Sequence, residues 1–243
     1  MKKTTIYCLP FAGGNKYSYR AYEERAGAAL QFLPLEYPGR GARMREPLLT
    51  DMEAIAEDLY RQLNPSLTGT PYVLYGHSMG GLALLLLLRK ISSRGKPLPQ
   101  QVFITGTTGP SAYFRTKKAR HLLSKPAFIQ EIKDLDGSPQ EILQDKELLD
   151  YFEPILRADF KAAETYTYHP QEKLNIPMTV ITGDKEQMEE EDIRSWQEET
   201  IQPVDFRKMP GKHFFIFANA PQIVQLISEK ISQPHKILDH DRR

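Results

Sequence analysis

A sharp turn at residues 76–80, Gly-His-Ser-Met-Gly, joins a β-rich run at residues 72–75 to a leucine-rich helix. It has the form G-x-S-x-G, in which a strained strand-to-helix turn raises a serine hydroxyl above a sheet. Small residues at Gly76 and Gly80 let the strand and the helix approach each other. The helix N-terminus favours negative charge developing beside Ser78. The alternative is an ordinary turn whose serine caps the helix.

Strand-like and helix-like segments alternate along the sequence. Short β-rich runs bounded by turn residues predict six strands, at residues 4–9, 32–36, 72–75, 102–105, 178–182 and 204–209. Apolar residues at helical spacing predict helices at residues 19–30, 51–63 and 221–231, besides the leucine-rich helix. Thr50 or Asp51 is a candidate N-cap. This alternation predicts an α/β fold with a mostly parallel central sheet flanked by helices.

A long excursion separates the fourth and fifth predicted strands. It has helical patterning and no evident strand, and it is longer than a parallel crossover requires. In α/β proteins, ligands bind outside the carboxyl ends of the strands. We therefore expect residues 1–243 to form a single domain, with a helical lid insertion over that edge at about residues 111–169.

The composition excludes several classes of function. The net charge is +1, so no global basic field argues for nucleic acid as a partner. Cys8 is the only cysteine, which rules out an intramolecular disulfide and a zinc site built from cysteines. The most apolar run, residues 82–88, is far shorter than the roughly 20 residues of a membrane span. We expect a cytoplasmic protein with no signal peptide and no membrane partner.

A serine hydroxyl is a weak nucleophile at neutral pH and needs a general base. In folds with this turn, an acid and then a histidine follow the serine along the chain. His213 lies just after the sixth predicted strand, in a loop at the edge of the sheet that would carry Ser78. It is our candidate base, and a plain surface-loop histidine is the alternative. The other histidines lie in the turn itself, in or beside the insertion, or in the polar tail: His77, His121, His169, His235 and His240.

The orienting acid should follow the fifth predicted strand. The sequence there is Gly183-Asp184-Lys185-Glu186. Either Asp184 or Glu186 could accept the ring N–H of His213 and hold its tautomer.

An oxyanion hole needs two backbone N–H donors. One would come from Met79, the residue after the nucleophile. The other would come from the loop after the first predicted strand, with Phe11 as first choice and Ala12 as the alternative. The Gly13-Gly14 pair in this loop also fits a plain turn.

These residues together resemble the type II thioesterases of non-ribosomal peptide and polyketide synthesis, the stand-alone editing enzymes. The resemblance covers nearly the whole chain and rests on several spaced segments. They are the loop at 9–14, the loop at 37–41, the turn at 75–81, two segments of the insertion at 136–141 and 156–166, and the histidine loop at 211–215.

The resemblance implies an α/β-hydrolase fold and a serine hydrolase that cleaves acyl and aminoacyl thioesters. The substrate would sit on the phosphopantetheine arm of an acyl or peptidyl carrier protein, and no metal or cofactor of the enzyme's own is expected. Carrier proteins are typically acidic. A basic cluster near the insertion would suit docking, or it is merely a solvated face: Arg115, Lys117, Lys118 and Arg120.

The sequence departs from this family at the acid. The family usually has aspartate where this chain has Glu186, and the distance to Trp196 fits that alignment without a gap. Glutamate is an accepted orienting acid in α/β-hydrolases. We favour Glu186, with Asp184 as the alternative.

Three other functions compete with an editing thioesterase. A carboxylesterase or lipase would share the fold and the triad. A carrier-binding homologue without activity would explain the change at Glu186. A releasing thioesterase, which ends a synthase and cyclises its product, is usually fused to the assembly line.

Overall fold

Six parallel strands form the central sheet of the computed structural model, which describes residues 3–113, 119–134 and 146–232. The strands are β1 (Thr4–Leu9), β2 (Leu30–Pro34), β3 (Tyr72–His77), β4 (Gln101–Thr105), β5 (Met178–Gly183) and β6 (Asp205–Met209). Their order across the sheet is β2-β1-β3-β4-β5-β6, and every pairing is parallel. All six predicted strands are present, with bounds that differ by at most a few residues.

Helices lie between the strands and in the insertion. The α-helices are α1 (Arg20–Glu23), α2 (Met52–Leu63), α3 (Met79–Ser93), α4 (Pro110–Tyr113), α5 (Lys125–Asp134), α6 (Lys146–Thr165), α7 (Glu190–Arg194), α8 (Phe215–Ala218) and α9 (Ala220–Ser232). Short 3-10 helices span Lys16–Tyr19, Gly41–Arg43, Asn64–Ser66, Arg120–Leu122 and Ser195–Glu198.

The predicted helix at residues 19–30 is wrong in its extent. Only α1 is α-helical there, after one 3-10 turn. Gly27 has φ of 61°, a left-handed conformation that ends helices. The chain then turns into β2 at Leu30.

Strands β3, β4 and β5 are buried on both faces because helices cover each side of the sheet. On one face, Leu74, Ile104 and Val180 pack in a cluster with the leucines of α3 and the apolar side of α2. On the other face, Val73 and Phe103 pack in a cluster that includes residues of α9. Neighbouring residues of a strand therefore enter opposite cores, as the two-residue period of a strand requires.

The described residues of the excursion between β4 and β5 contain helices and no strand, as predicted. Its helices share a small cluster formed by Phe128, Ile132 and Leu156. At the other end of α6, Ala162 and Ala163 join the main core. The segment 136–141 lies outside the described residues, and a single domain over residues 1–243 stays a prediction.

No helix within the three described ranges is both long enough and apolar enough to cross a bilayer.

Asp51 caps α2, because its side chain accepts the amide N–H of Ala54 at 2.8 Å. We predict that Asp51→Ala lowers the free energy of unfolding by about 1 kcal/mol, the usual cost of removing an N-cap. Urea unfolding would measure this as a lower midpoint. Asp51→Asn is the matched control, since asparagine caps as well as aspartate. Equal midpoints for the alanine and asparagine variants would contradict the prediction.

Candidate active site

Ser78 occupies a strained turn between β3 and α3. Its φ of 55° makes it the only non-glycine residue with positive φ in the described part of the chain. The turn leaves no room for side chains at its glycines. A Cβ on Gly76 would lie 2.3 Å from the carbonyl oxygen of Gly80, and one on Gly80 would lie 2.3 Å from that of Leu9. Strained turns of this kind are kept where function needs them.

Ser78, His213 and Glu186 form a hydrogen-bonded series. The Nε2 atom of His213 lies 3.0 Å from the Ser78 hydroxyl oxygen. Its Nδ1 atom lies 2.7 Å from the Oε1 atom of Glu186. The other carboxylate oxygen of Glu186 accepts the amide N–H of Gly183 at 2.6 Å. The Glu186 side chain is only 5% exposed, so both oxygens are fixed away from bulk water.

The fold brings these three residues to one edge of the sheet. Ser78 follows β3, Glu186 follows β5 and His213 follows β6. The carboxyl ends of parallel strands meet at the same edge. The last two loops also touch, because a Cβ on Gly183 would lie 2.4 Å from the Gly211 carbonyl oxygen.

Asp184, the alternative acid, has a different position. Its side chain is exposed, and its Oδ1 atom accepts the amide N–H of Gly211 at 2.8 Å. Its own amide N–H donates to the carbonyl of Met209 at 2.8 Å. Asp184 thus braces the loop that carries His213, while Glu186 contacts the ring.

The candidate oxyanion donors lie beside the Ser78 turn. Met79 is the first residue of α3, and the amide N–H groups of the first turn of a helix have no intrahelical partner. Phe11 and Ala12 follow β1, whose last carbonyl approaches Gly80 closely. The geometry keeps both Phe11 and Ala12 open as the second donor.

Comparison with known proteins shows to which family this chain belongs. Residues 4–231 match the family called Thioesterase domain. The chain belongs to this family. The gramicidin S biosynthesis protein GrsT of Aneurinibacillus migulanus is 29% identical over 230 residues, which cover 94% of this chain and 89% of GrsT. The thioesterase PikA5 of Streptomyces venezuelae is 31% identical over 227 residues, which cover 93% of this chain and 80% of PikA5.

The fold of this thioesterase is similar to that of solved structures. The type II thioesterase BorB from the borrelidin biosynthetic cluster superimposes with a TM-score of 0.85 and 32% identity, covering 94% of this chain and 92% of BorB. The predicted resemblance to type II thioesterases and the predicted α/β-hydrolase fold are confirmed.

His77 packs against the ring of His213, which the sequence did not predict. The ring centroids lie 4.8 Å apart, and the rings are inclined by 39°. Burial, and secondarily the nearby His213, holds the pKa of His77 well below its usual value. His77 therefore stays neutral beside His213.

Hydrogen bonds from one hydroxyl to the next fix the tautomer of His77. Tyr22 donates its hydroxyl proton to the carbonyl of Ile216 at 3.0 Å, so Tyr75 is the donor across the 3.1 Å contact between the two tyrosines. Thr105 has two acceptors for its single proton, the Tyr75 hydroxyl at 3.2 Å and the Gly76 carbonyl at 3.4 Å. With its proton used by either one, the Thr105 oxygen accepts from Nδ1–H of His77 at 3.0 Å. Each hydroxyl has only one proton to donate.

Aromatic rings border the histidine side of the site. The ring of Phe214 lies 5.0 Å from that of His213 and 5.0 Å from that of Phe11, centroid to centroid. Phe217 stacks on Phe214 at 5.7 Å and is 45% exposed. An apolar surface therefore leads from solvent to the histidine.

Arg120 does not form a free basic patch. It forms ion pairs with Glu131 and Glu164. The other three members of the predicted basic cluster, Arg115, Lys117 and Lys118, lie outside the described residues. The described residues hold no group of three or more His, Cys, Asp or Glu side chains that could bind a metal ion.

We predict a specific dependence of stability on pH from His77. Its pKa is near 6.5 in the unfolded chain and well below that in the folded protein. Below pH 6.5 only the unfolded state takes up this proton, so the free energy of unfolding falls by up to about 1.4 kcal/mol per pH unit. Above pH 6.5 His77 is neutral in both states, so its titration no longer changes the free energy of unfolding.

Denaturant unfolding of His77→Gln at several pH values would measure this effect. The variant should lose stability less steeply than the wild type as the pH falls below about 6.5. His169→Gln is the control, because His169 is exposed, and its slope should match the wild type. A wild-type slope in His77→Gln would contradict the prediction.

Proposed function

We propose that this thioesterase hydrolyses acyl and aminoacyl thioesters on the phosphopantetheine arm of carrier proteins, and so regenerates stalled non-ribosomal peptide or polyketide synthases. The observation that carries the proposal is the hydrogen-bonded series Ser78–His213–Glu186 in a chain of this family. Among its relatives, GrsT is a gramicidin S biosynthesis protein, and BorB comes from the borrelidin biosynthetic cluster.

In the acylation step, Ser78 attacks the thioester carbonyl. His213 takes the hydroxyl proton through Nε2, 3.0 Å from the oxygen, and passes it to the departing thiolate. Glu186 holds the Nδ1–H tautomer and stabilises the imidazolium that forms. Positioned proton transfer of this kind contributes about 10²–10⁴ to the rate.

The negative charge on the carbonyl oxygen needs donors in the transition state. Met79 and Phe11, or Ala12 in its place, would supply two amide N–H groups. The N-terminus of α3 adds its favourable dipole. Each such donor is worth about 10²–10³ in kcat.

In the deacylation step, His213 activates a water molecule, which releases the acid and restores Ser78. The insertion would act as a lid that gates access and excludes bulk water. The pantetheine thiol belongs to the carrier protein, so the proposal needs no metal and no cofactor of the enzyme's own. Cytoplasmic carrier proteins are the proposed partners, with no role for nucleic acid or a membrane.

Two other functions make different predictions. A carboxylesterase or lipase would prefer an oxygen ester as substrate. A homologue without activity would need a broken triad, and the 2.7 Å contact between His213 and Glu186 speaks against that.

We predict that the wild type hydrolyses an acetylated carrier protein faster than a matched oxygen ester, and that Ser78→Ala abolishes this turnover. Release of free thiol, measured with a thiol reagent, follows the reaction. Faster turnover of the oxygen ester would favour a carboxylesterase. If neither substrate is turned over and carrier binding is retained, the function is binding without catalysis.

Mutation of the two acids should affect kcat to very different extents. We predict that Glu186→Gln lowers kcat by about 10³–10⁴, because the amide favours the wrong tautomer of His213. Asp184→Asn should keep most of the activity, because an amide oxygen can still accept the N–H of Gly211. Steady-state kinetics on the acetylated carrier would compare them. The reverse order of effects would assign the acid role to Asp184.

A further inference from the structure

Asp159 of α6 is fully buried and makes three hydrogen bonds to two other segments of the chain. Arg40 donates to both of its carboxylate oxygens, each at 2.6 Å. The amide N–H of Gly13 donates to Oδ2 at 2.7 Å. Arg40 follows β2 and Gly13 follows β1. A helix of the insertion is thus bonded directly to two loops at the carboxyl edge of the sheet.

Gly13 lies in the loop that carries the proposed second oxyanion donor. The start of this loop is fixed by tyrosine hydroxyl groups, from Tyr19 to the Leu9 carbonyl and from Tyr37 to the Pro10 carbonyl, both at 2.8 Å. Its far end is fixed by Asp159 at Gly13 and by Arg40, which donates to the Gly14 carbonyl at 3.3 Å. Phe11 and Ala12 are therefore held from both sides.

Helix α6 lies directly on the loop at this point. Gly13 has φ of 76°, and a Cβ on it would lie 2.5 Å from the Cδ2 atom of Leu156. The left-handed conformation favours glycine here, and any other side chain would also have to displace that of Leu156. The packing thus brings the Gly13 N–H within reach of Asp159, one helical turn after Leu156.

The buried ion pair of Arg40 and Asp159 does more than fill the space between helix α6 and the loops. Replacing a buried ion pair by apolar residues of similar volume is often neutral or stabilising. Apolar residues could not accept the N–H of Gly13, which would then be buried without a partner or would pull the loop away. Asp159 therefore contributes the position of the loop, and Arg40 balances its buried charge.

We propose that Asp159 is a positioning residue for hydrolysis, which sets the oxyanion loop from helix α6 of the insertion, with Arg40 as the partner of its buried charge. The inference rests on the proposed function. It means that the insertion helps to build the active site, besides covering it.

A matched pair of double variants separates loop position from stability. Arg40→Met/Asp159→Leu removes the charges and the acceptor for Gly13. Arg40→Met/Asp159→Asn removes the charges but keeps an oxygen acceptor. We predict that the leucine pair folds yet loses about 10- to 100-fold in kcat with KM nearly unchanged, since a displaced oxyanion donor acts on the transition state. The asparagine pair should recover most of the loss.

Asp159→Glu provides a second test if the leucine pair fails to fold. It keeps the charge for Arg40, but its longer side chain moves the carboxylate relative to Gly13. We expect kcat to fall with little change in KM. Thermal unfolding of every variant shows which of them are folded. An unchanged kcat in the folded variants, or an equal loss in the leucine and asparagine pairs, overturns the inference.

Labelling of Ser78 by a fluorophosphonate distinguishes this inference from the proposed function. The reagent forms a bond from the Ser78 oxygen to phosphorus with loss of fluoride, and negative charge develops on its phosphoryl oxygen at the oxyanion site whatever the natural substrate is. If the wild type leaves carrier thioesters intact, but labelling slows in the leucine pair and recovers in the asparagine pair, the proposed function fails and the positioning role is supported. Equal labelling rates in the wild type and the leucine pair overturn the positioning role.

Discussion

The strained turn at Ser78 is the constraint on which the rest of the structure depends. Holding a non-glycine residue at positive φ costs about 1–3 kcal/mol, and the surrounding packing must offset it. Strand β3 is buried along its whole length between β1 and β4, and α3 is buried on nearly every side. The Ser78 amide N–H also donates to the Thr105 carbonyl of β4 at 2.8 Å. Ser78, the proposed nucleophile, is therefore held by two fully buried elements.

Two acids from the loop after β5 hold His213 and its loop in place by different contacts. Glu186 contacts the ring and Asp184 contacts the backbone of the same loop, so two acids that lie two residues apart serve different purposes. His77 supports the ring from within the core as a neutral group. A charged neighbour there would oppose the imidazolium that the proposed mechanism forms, and the hydroxyl series through Thr105 leaves Nδ1 of His77 as a hydrogen-bond donor.

The insertion is connected to the site by polar as well as apolar contacts. Leu156 packs against Gly13, and Asp159 bonds to it one turn later in the same helix. Apolar packing alone would not require a buried carboxylate. Through Asp159, helix α6 contacts the loop that holds the candidate oxyanion donors, although Ser78 lies far from it along the chain.

The strands, the turn at Ser78 and the candidate base His213 could all be predicted before folding was considered, because they depend on local patterns and on the order of motifs along the chain. The sequence left Glu186 and Asp184 open, since both follow β5 and only the approach of the β6 loop separates them. It also missed the contact of His77 with His213 and the anchoring of Gly13 by Asp159. Those contacts join residues from distant segments. They arise from tertiary packing, because no local pattern records which side chains meet when the segments pack.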